Sequence, residues 1–252
     1  MRALITNDDG IAAEGVRQLA IAARNAGLDV VVAAPMSESS GSSASIAIME
    51  RDGKVPVAPR ELDGLAEVPV FAVDAPPAFI VLSATRGAFG PPPDVVLAGI
   101  NRGSNTGRSV LHSGTVGAAL TGAAHGRAAL AVSLDLAGGP GERAYWETAA
   151  RLAGRLLPLL SDQFAMNLNV PNLPREQVRG LREARLASFG AVQTRITEEG
   201  VGEVEAAVGE AGEAPDPDTD TALLAAGFAV VTALTPPREA DVAPLRLPSY
   251  QD

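Results

Sequence analysis

The chain has 252 residues, of which 46% are hydrophobic and 20% are charged, and its formal net charge is -10. This charge argues against binding a nucleic acid polymer or an anionic membrane surface. Because the sequence contains no cysteine, disulfides, a thiol nucleophile and a thiolate metal site are all excluded.

Three further functional classes are disfavoured by local sequence. No stretch approaches the roughly 18 consecutive apolar residues of a membrane helix, and the acidic residues Asp8 and Asp9 come too early for a signal peptide. We therefore expect a cytoplasmic protein. The single lysine, Lys54, has neither the upstream glycine nor the following Ser or Thr of a P-loop, which excludes nucleotide binding of that kind.

Strand and helix patterns alternate through the first half of the chain. The predicted strands and helices are a strand at 3–5, a helix at 14–25, a strand at 29–34, strand-like segments at 45–49 and 68–73, a helix at 78–85, a strand at 95–98, a helix at 116–124 and a strand at 128–133. A serine-rich loop covers 35–45. This order predicts an α/β fold, with a doubly wound, mostly parallel, Rossmann-like sheet and helices on both faces.

The second half has a weaker pattern. It predicts a long helix at 142–160, strands at 165–170, 181–188 and 228–234, and a short helix at 221–226. We expect one domain of 252 residues, with an α/β core over 1–188, a protruding β-hairpin over 189–215 and a return to the core with a tail over 216–252. The hairpin would project into solvent or pair with another subunit.

The sequence Asn7-Asp8-Asp9-Gly10 follows the first predicted strand. It brings two adjacent carboxylates to the carboxyl end of a buried strand, which is where open α/β sheets hold their ligands. Two carboxylates this close repel each other unless a cation lies between them, and a hard divalent metal ion is the simplest such cation. The pair therefore predicts a metal site, although a turn or a helix cap would explain the same residues.

Two other loops leave the carboxyl ends of predicted parallel strands, namely the serine-rich loop and the loop containing Asn101. A carboxylate pair, a hydroxyl and an amide carbonyl together form a site of hard oxygen ligands with positions left for water and phosphate. The sequence Ser113-Gly114-Thr115 begins a helix, so its free N–H groups favour a phosphate. Taken singly, the serine loop would be a solvated linker and Asn105 a turn residue.

These motifs resemble the SurE (survival protein E) nucleotidases, whose signatures are Asn-Asp-Asp-Gly, then Gly-Ile-Asn-x-Gly-x-Asn, then Ser-Gly-Thr-Val. Residues 7–10, 99–105 and 113–116 match them, and 34–41, 168–171 and 219–220 resemble further landmarks of the family. The resemblance spans most of the chain. It implies a metal-dependent phosphomonoesterase, of the 5'-nucleotidase type, that acts on nucleoside monophosphates, and a homodimer or homotetramer formed through the carboxyl-terminal extension. The sequence leaves open whether the 5' position, the 3' position or short polyphosphate is cleaved.

The resemblance also implies roles for particular residues. One divalent ion per subunit, Mg²⁺ or Mn²⁺, would be held by four ligands, which are Asp8, Asp9, Ser40 and Asn101. Ser39 is an alternative to Ser40, because the register of a serine-rich loop is ambiguous. Asp8 or Asp9 would accept a proton from the attacking water. The phosphoryl group would be bound by Asn105, Ser113, Gly114 and Thr115.

Several residues depart from the family pattern. Glu14 replaces a proline, and we interpret it as an acid at a helix start; the segment 73–79 replaces Gly-Thr-Pro-x-Asp-Cys-Val, which leaves the substrate preference open. His112 replaces an aromatic residue before the Ser113 helix start, and we assign it no catalytic role.

Two other classes of protein remain as alternatives. An acidic pair after the first strand also forms the metal pocket of phospho-accepting signalling modules with a flavodoxin-like fold, but this chain is long for one and lacks a lysine after a late core strand. A zinc-dependent deacetylase would need a histidine near the acids, and none occurs before His112.

Overall fold

The computed structural model describes residues 1–47, 54–136, 142–188, 193–195, 205–207 and 216–241. The strands are β1 (Arg2–Thr6), β2 (Asp29–Pro35), β3 (Val57–Pro59), β4 (Val70–Val73), β5 (Val95–Arg102), β6 (Ala128–Asp135), β7 (Ala165–Pro171), β8 (Leu181–Glu183), β9 (Gln193–Arg195), β10 (Glu205–Ala207) and β11 (Ala229–Leu234). The α-helices are α1 (Glu14–Asn25), α2 (Pro77–Thr85), α3 (Gly114–Ala124), α4 (Trp146–Leu156) and α5 (Asp220–Ala225).

Nine strands form one sheet in the order β3-β4-β2-β1-β5-β6-β7-β11-β8. The six strands from β4 to β7 run parallel to one another. The remaining strands differ, since β3 is antiparallel to β4, and β11 is antiparallel to β7 but parallel to β8. The predicted α/β fold with a mostly parallel, Rossmann-like sheet is therefore confirmed. Because β1, β2, β4 and β5 are parallel, the loops that follow them all leave the sheet on one side, at the carboxyl ends of these strands; we call this the carboxyl edge.

Local patterns explain why the first helices form where they do. Helix α1 has the predicted bounds, and its buried side is Val16, Leu19, Ala20 and Ala23 at helical spacing. Glu14 lies in its first turn and accepts hydrogen bonds from Arg17, as expected of an acid at a helix start. Helix α2 begins at Pro77, whose fixed backbone angle suits a first helical turn.

Glycine lets α1 approach β5 closely. A Cβ atom on Gly15 would lie 1.9 Å from the Ile100 carbonyl oxygen, so only glycine fits at this contact. Ile100 is fully buried in β5, one residue before the predicted metal ligand Asn101. The packing of α1 on β5 therefore fixes the strand that carries part of the candidate site.

The structure corrects three sequence predictions. Helix α4 is shorter than the predicted 142–160, because the Tyr145 N–H donates to the Asn172 side chain and a 3-10 turn with Pro158 follows Leu156. Strand β8 ends at Glu183 and not at 188. No strand forms over 45–47, and the rest of the predicted 45–49 segment lies outside the described residues, whereas the short edge strand β3 was not predicted.

Strands β9 and β10 pair antiparallel, as the predicted hairpin requires, while the rest of 189–215 lies outside the described residues. Among the helices that the structure describes, none is long and apolar enough to cross a membrane.

Candidate metal and phosphate site

The Asp8-Asp9 turn follows β1 and is fixed to the serine loop by backbone hydrogen bonds. The buried Asn7 side chain donates to the Gly10 carbonyl at 3.0 Å and closes the turn. The Ser39 N–H donates to the Asp8 carbonyl at 2.7 Å, and the Ile11 N–H donates to the Pro35 carbonyl at 2.8 Å. Because these bonds join the ends of two neighbouring parallel strands, the predicted convergence of the two loops is present.

The Asp8 carboxylate faces the start of α3. The Thr115 hydroxyl donates a hydrogen bond to its Oδ1 atom, and a Cβ atom on Gly114 would lie 2.8 Å from Oδ2. Glycine is therefore needed for this close approach. Burial raises the pKa of the Asp8 carboxyl above its usual value, and hydrogen bonds from Thr115 and from the backbone of Asp8, Thr115 and Gly114 oppose that rise.

Asp9 lies beside Asp8 and is half-buried. Its Oδ2 atom accepts a hydrogen bond from the Arg102 backbone N–H at 3.1 Å, which links it to the end of β5. Burial, followed by the negative charge of Asp8, raises the pKa of Asp9 to about 6, although the Arg102 hydrogen bond opposes this. Neither carboxylate has an ion pair with a cationic side chain in the part of the chain that the structure describes.

This arrangement fits a divalent cation. Two raised pKa values show that the pair is poorly compensated by the protein alone, and a metal ion would supply the missing positive charge. Within the described residues, no group of three or more His, Cys, Asp or Glu side chains is placed to hold a metal. The ligand set that the resemblance implies has only two acids and is completed by neutral oxygens.

The serine loop presents three hydroxyls near this pair in different environments. The Ser40 side chain is exposed and donates to the Glu38 carboxylate at 2.7 Å. Ser39 is half-buried beside the Asp8 carbonyl, and the buried Ser42 Oγ lies 2.5 Å from where a Gly114 Cβ would be. Ser42 Oγ has no hydrogen-bond partner among the described residues. Ser40 as a metal ligand stays a prediction, and Ser39 and Ser42 are the hydroxyls that the structure places against Asp8 and the α3 start.

Asn101 is the last but one residue of β5, which is longer than the predicted strand at 95–98, so it lies on the strand and not on the predicted loop. Asn105 lies on the loop that follows β5, over residues 103–107, which we call the Asn105 loop. The Asn101 side-chain N–H donates to the Gly103 carbonyl at 2.8 Å, which leaves its Oδ1 atom for a ligand. The Asn105 side-chain N–H donates to the buried Ser133 hydroxyl at 2.9 Å. Because an amide nitrogen carries two hydrogens, one remains for a phosphoryl oxygen.

The α3 start has the predicted form. Ser113 Oγ accepts a hydrogen bond from the Val116 N–H at 3.1 Å, so Ser113 caps the helix. Ser113, Gly114 and Thr115 are buried, whereas His112 is exposed. The hydroxyl of Thr115 and the backbone at Gly114 bind Asp8 rather than standing free, so a phosphate here would share these groups with the acid.

Three residues of the second half, Asn167, Asn169 and Asp220, support the Asn105 loop. The sequence analysis included Asn169 and Asp220 in family landmarks without giving them a role, and it did not identify Asn167. Asn169 Oδ1 accepts from the Asn105 N–H at 2.7 Å, while the side chains of Asn167 and Asn169 both donate to the Asn105 carbonyl. The fully buried Asp220 accepts from the N–H groups of Gly107 and Ala187. Alternating asparagines on one strand were the available signal, because residues two apart share a face.

The family model for survival protein SurE matches residues 3–192. The chain belongs to the SurE family. A 5'/3'-nucleotidase SurE from Edwardsiella ictaluri is 38% identical over 242 residues, which cover 93% of this chain and 89% of that protein.

Two further relatives agree. A 5'-nucleotidase SurE from Aeromonas hydrophila is 36% identical over 246 residues, with 93% of this chain and 92% of that protein covered. The crystal structure of the SurE protein from Aquifex aeolicus superposes with a TM-score of 0.74 at 28% identity and covers 93% of both chains. The SurE match confirms the resemblance seen in the motifs, and it does not support the alternative of a signalling module.

Proposed function

We propose that this SurE-family chain is a phosphomonoester hydrolase that converts nucleoside monophosphates to nucleosides and phosphate. The observation that carries the proposal is the adjacent Asp8-Asp9 pair, which has no ion pair among the described residues and lies against the amino terminus of α3. An acidic metal site beside a helix start suits a phosphate dianion. Relatives named 5'- and 5'/3'-nucleotidase support the same substrate class.

Four residues would hold the metal, namely Asp8, Asp9, Ser40 and Asn101, with Ser39 as the alternative hydroxyl. A bound divalent ion, Mg²⁺ or Mn²⁺, supplies Lewis-acid polarisation of the phosphoryl group and lowers the pKa of the attacking water. SurE nucleotidases are metal-dependent. The choice of Mg²⁺ or Mn²⁺ as the ion, and of Ser40 or Ser39 as the hydroxyl ligand, is part of what we propose.

The chain's own residues orient the reacting groups. The Thr115 hydroxyl holds Asp8 Oδ1 and so fixes the direction of that carboxylate. The carboxylate oxygen that the ligand set leaves free, on Asp8 or Asp9, accepts the proton of the attacking water. Asn105, Ser113 and the N–H groups of Gly114 and Thr115 stabilise the charge on the transferring phosphoryl group. Attack by water needs no covalent phosphoenzyme.

The test is phosphate release from a panel of 5' and 3' nucleoside monophosphates. EDTA-treated protein would be assayed with and without added Mn²⁺ or Mg²⁺, beside the variant Asp8→Asn. We expect release only with metal, and its loss in Asp8→Asn. A folded wild-type protein that releases no phosphate with either metal would overturn the nucleotidase proposal.

The control is Asp63→Ala, which removes an exposed acid from the loop before β4 and should leave the rate unchanged. Circular dichroism of each variant separates loss of chemistry from loss of folding, which matters because Asp8 is buried.

The oligomeric state also belongs to the proposal. We propose a homodimer or homotetramer in which the β9-β10 hairpin contributes to the contact between subunits. Light scattering after size exclusion would measure the mass, and a monomer at assay concentration would contradict it. Location in the cytoplasm stays a prediction from sequence.

A further inference from the structure

A cleft of about 300 Å³ lies beside the metal and phosphate site. Strands β2 and β4 are parallel neighbours in which Pro35 pairs with Val73, so Asp74 follows β4 at the same edge where the serine loop follows β2. The residues that line the cleft include Met36, Ser39, Ser42, Val73, Asp74 and Pro76. We call it the Asp74 cleft.

The Asp74 cleft adjoins the site that would hold the phosphate. Ser39 and Ser42 line the cleft, and they also lie against Asp8 and the α3 start. The Ser39 N–H donates to the Asp8 carbonyl, and both Ser42 Oγ and Asp8 Oδ2 lie within 3 Å of one point beside Gly114. A phosphate ester bound at the α3 start would therefore have this cleft available for the group attached to its phosphate.

The side chains that line the Asp74 cleft indicate which kind of chemical group it would bind. Met36, Val73 and Pro76 give an apolar surface, and Met36 is 37% exposed. Among the described residues that line the cleft, Asp74 is the one with a titratable side chain. A ligand with a flat ring whose face packs on apolar side chains and with several hydroxyl donors complements this combination, and a nucleoside has both.

The Asp74 side chain is available to a ligand. Its backbone N–H donates to the Pro56 carbonyl at 2.9 Å, which fixes the residue against the segment that leads into β3. Its carboxylate has no hydrogen bond or ion pair among the described residues and is half-buried. Adjacent sugar hydroxyls can donate to the two oxygens of one carboxylate, the means by which acidic residues bind ribose in other α/β sites.

We propose that the Asp74 cleft binds the nucleoside part of the substrate and that Asp74 accepts hydrogen bonds from the ribose hydroxyls, so that ribonucleotides are preferred to 2'-deoxyribonucleotides. This inference rests on the proposed nucleotidase function and adds its specificity. Asp74 lies in the segment 73–79, where the sequence departs from the family pattern, so the preference belongs to this chain's own residues. The negative charge of Asp74 also disfavours a second phosphate in the cleft.

The experiment compares three phosphomonoesters with the metal-loaded protein. They are adenosine 5'-monophosphate, its 2'-deoxy counterpart and para-nitrophenyl phosphate, which has no sugar. The proteins are wild type, Asp74→Ala, Asp74→Asn and the control Asp63→Ala, an exposed acid outside the cleft. The value of kcat/KM is measured for each pair.

We expect the wild-type protein to prefer the ribonucleotide about tenfold, because a carboxylate built to accept hydroxyl hydrogens loses a partner in the deoxy substrate. Asp74→Ala should bring that ratio to about one and leave para-nitrophenyl phosphate within about twofold of wild type. Asp74→Asn keeps one acceptor oxygen and should give an intermediate ratio. Asp63→Ala should match wild type.

Two results would overturn the inference, and they are distinguishable. A ribo-to-deoxy ratio that Asp74→Ala leaves unchanged, or an equal loss on all three substrates, removes the sugar-binding role of Asp74 while the hydrolase stands. A folded wild-type protein that hydrolyses none of the three with metal removes the proposed function and the cleft assignment together.

Discussion

The strands β4, β2, β1 and β5 run parallel, whereas β11 runs against β7 on the other side of the sheet. The half of the sheet made of β4, β2, β1 and β5, which we call the parallel half, has its strand ends at the carboxyl edge, and the acids, the hydroxyls of the serine loop and Asn101 lie there. The half that contains β7 and β11, which we call the supporting half, contributes buried side-chain amides of β7 and the nearby Asp220. These groups form hydrogen bonds with the backbone of the Asn105 loop. Most of the proposed metal ligands therefore come from one half of the sheet, and the hydrogen bonds that hold the Asn105 loop come from the other.

The first prediction concerns the parallel half and has the largest effect. Asp9→Asn should lower kcat/KM by about 10²- to 10³-fold, because it removes a proposed metal ligand and its charge. The same change should raise the melting temperature of the EDTA-treated protein, since the pKa of Asp9 shows that its charged form is unfavourable there. Phosphate release and thermal melts measure the two effects, and a variant that is active and less stable would contradict both.

The second prediction concerns the supporting half. Asp220→Ala should lower the free energy of unfolding by about 2–4 kcal/mol, because the buried N–H groups of Gly107 and Ala187 lose their acceptor. Asp220→Asn keeps one acceptor oxygen and should lower the free energy of unfolding by less than Asp220→Ala does. Urea denaturation measures the change; stability equal to wild type would show that water replaces the carboxylate.

The third prediction tests whether the supporting half acts on the reaction. Asn169→Ala removes two hydrogen bonds to the Asn105 backbone and should lower kcat about tenfold with a smaller change in KM, because the loop loses its fixed position. The control Thr232→Val, on the adjacent strand β11, removes a buried hydroxyl bond to the Ala184 carbonyl. It should reduce stability and leave kcat unchanged. Equal activity losses in both variants would indicate a general structural effect.

The fourth prediction has the smallest effect and concerns protons at the acid pair. The folded-state pKa of Asp9 is raised to about 6, so this group favours folding at low pH and that contribution is lost as the pH rises through about 6. A metal needs the ionised carboxylate and competes with the proton. Added Mn²⁺ should therefore raise the melting temperature of EDTA-treated protein by several degrees at about pH 8 and by less at about pH 5. Equal increases in melting temperature at the two pH values would contradict the proposal that the acid pair binds the metal.

The sequence alone determined the features that depend on neighbouring residues. Apolar residues at helical spacing set the bounds of α1, a proline set the start of α2 and Ser113 set the cap of α3. The acid pair directly after an apolar strand was enough to predict an acidic site at one edge of the sheet. These signals act within a few residues, so the chain order preserves them.

Tertiary structure decided the features that depend on residues far apart in the chain. The Gly107 N–H and Asp220 are separated by 113 residues, and Asn105 and Asn169 by 64, so no local pattern could pair them. The antiparallel course of β11 and the end of α4 before Pro158 also depend on their neighbours in space. The environments of Ser39, Ser40 and Ser42 differ only through packing on Asp8 and α3. Burial and the close approach of charges, which set the pKa of Asp9, exist only once the chain has folded.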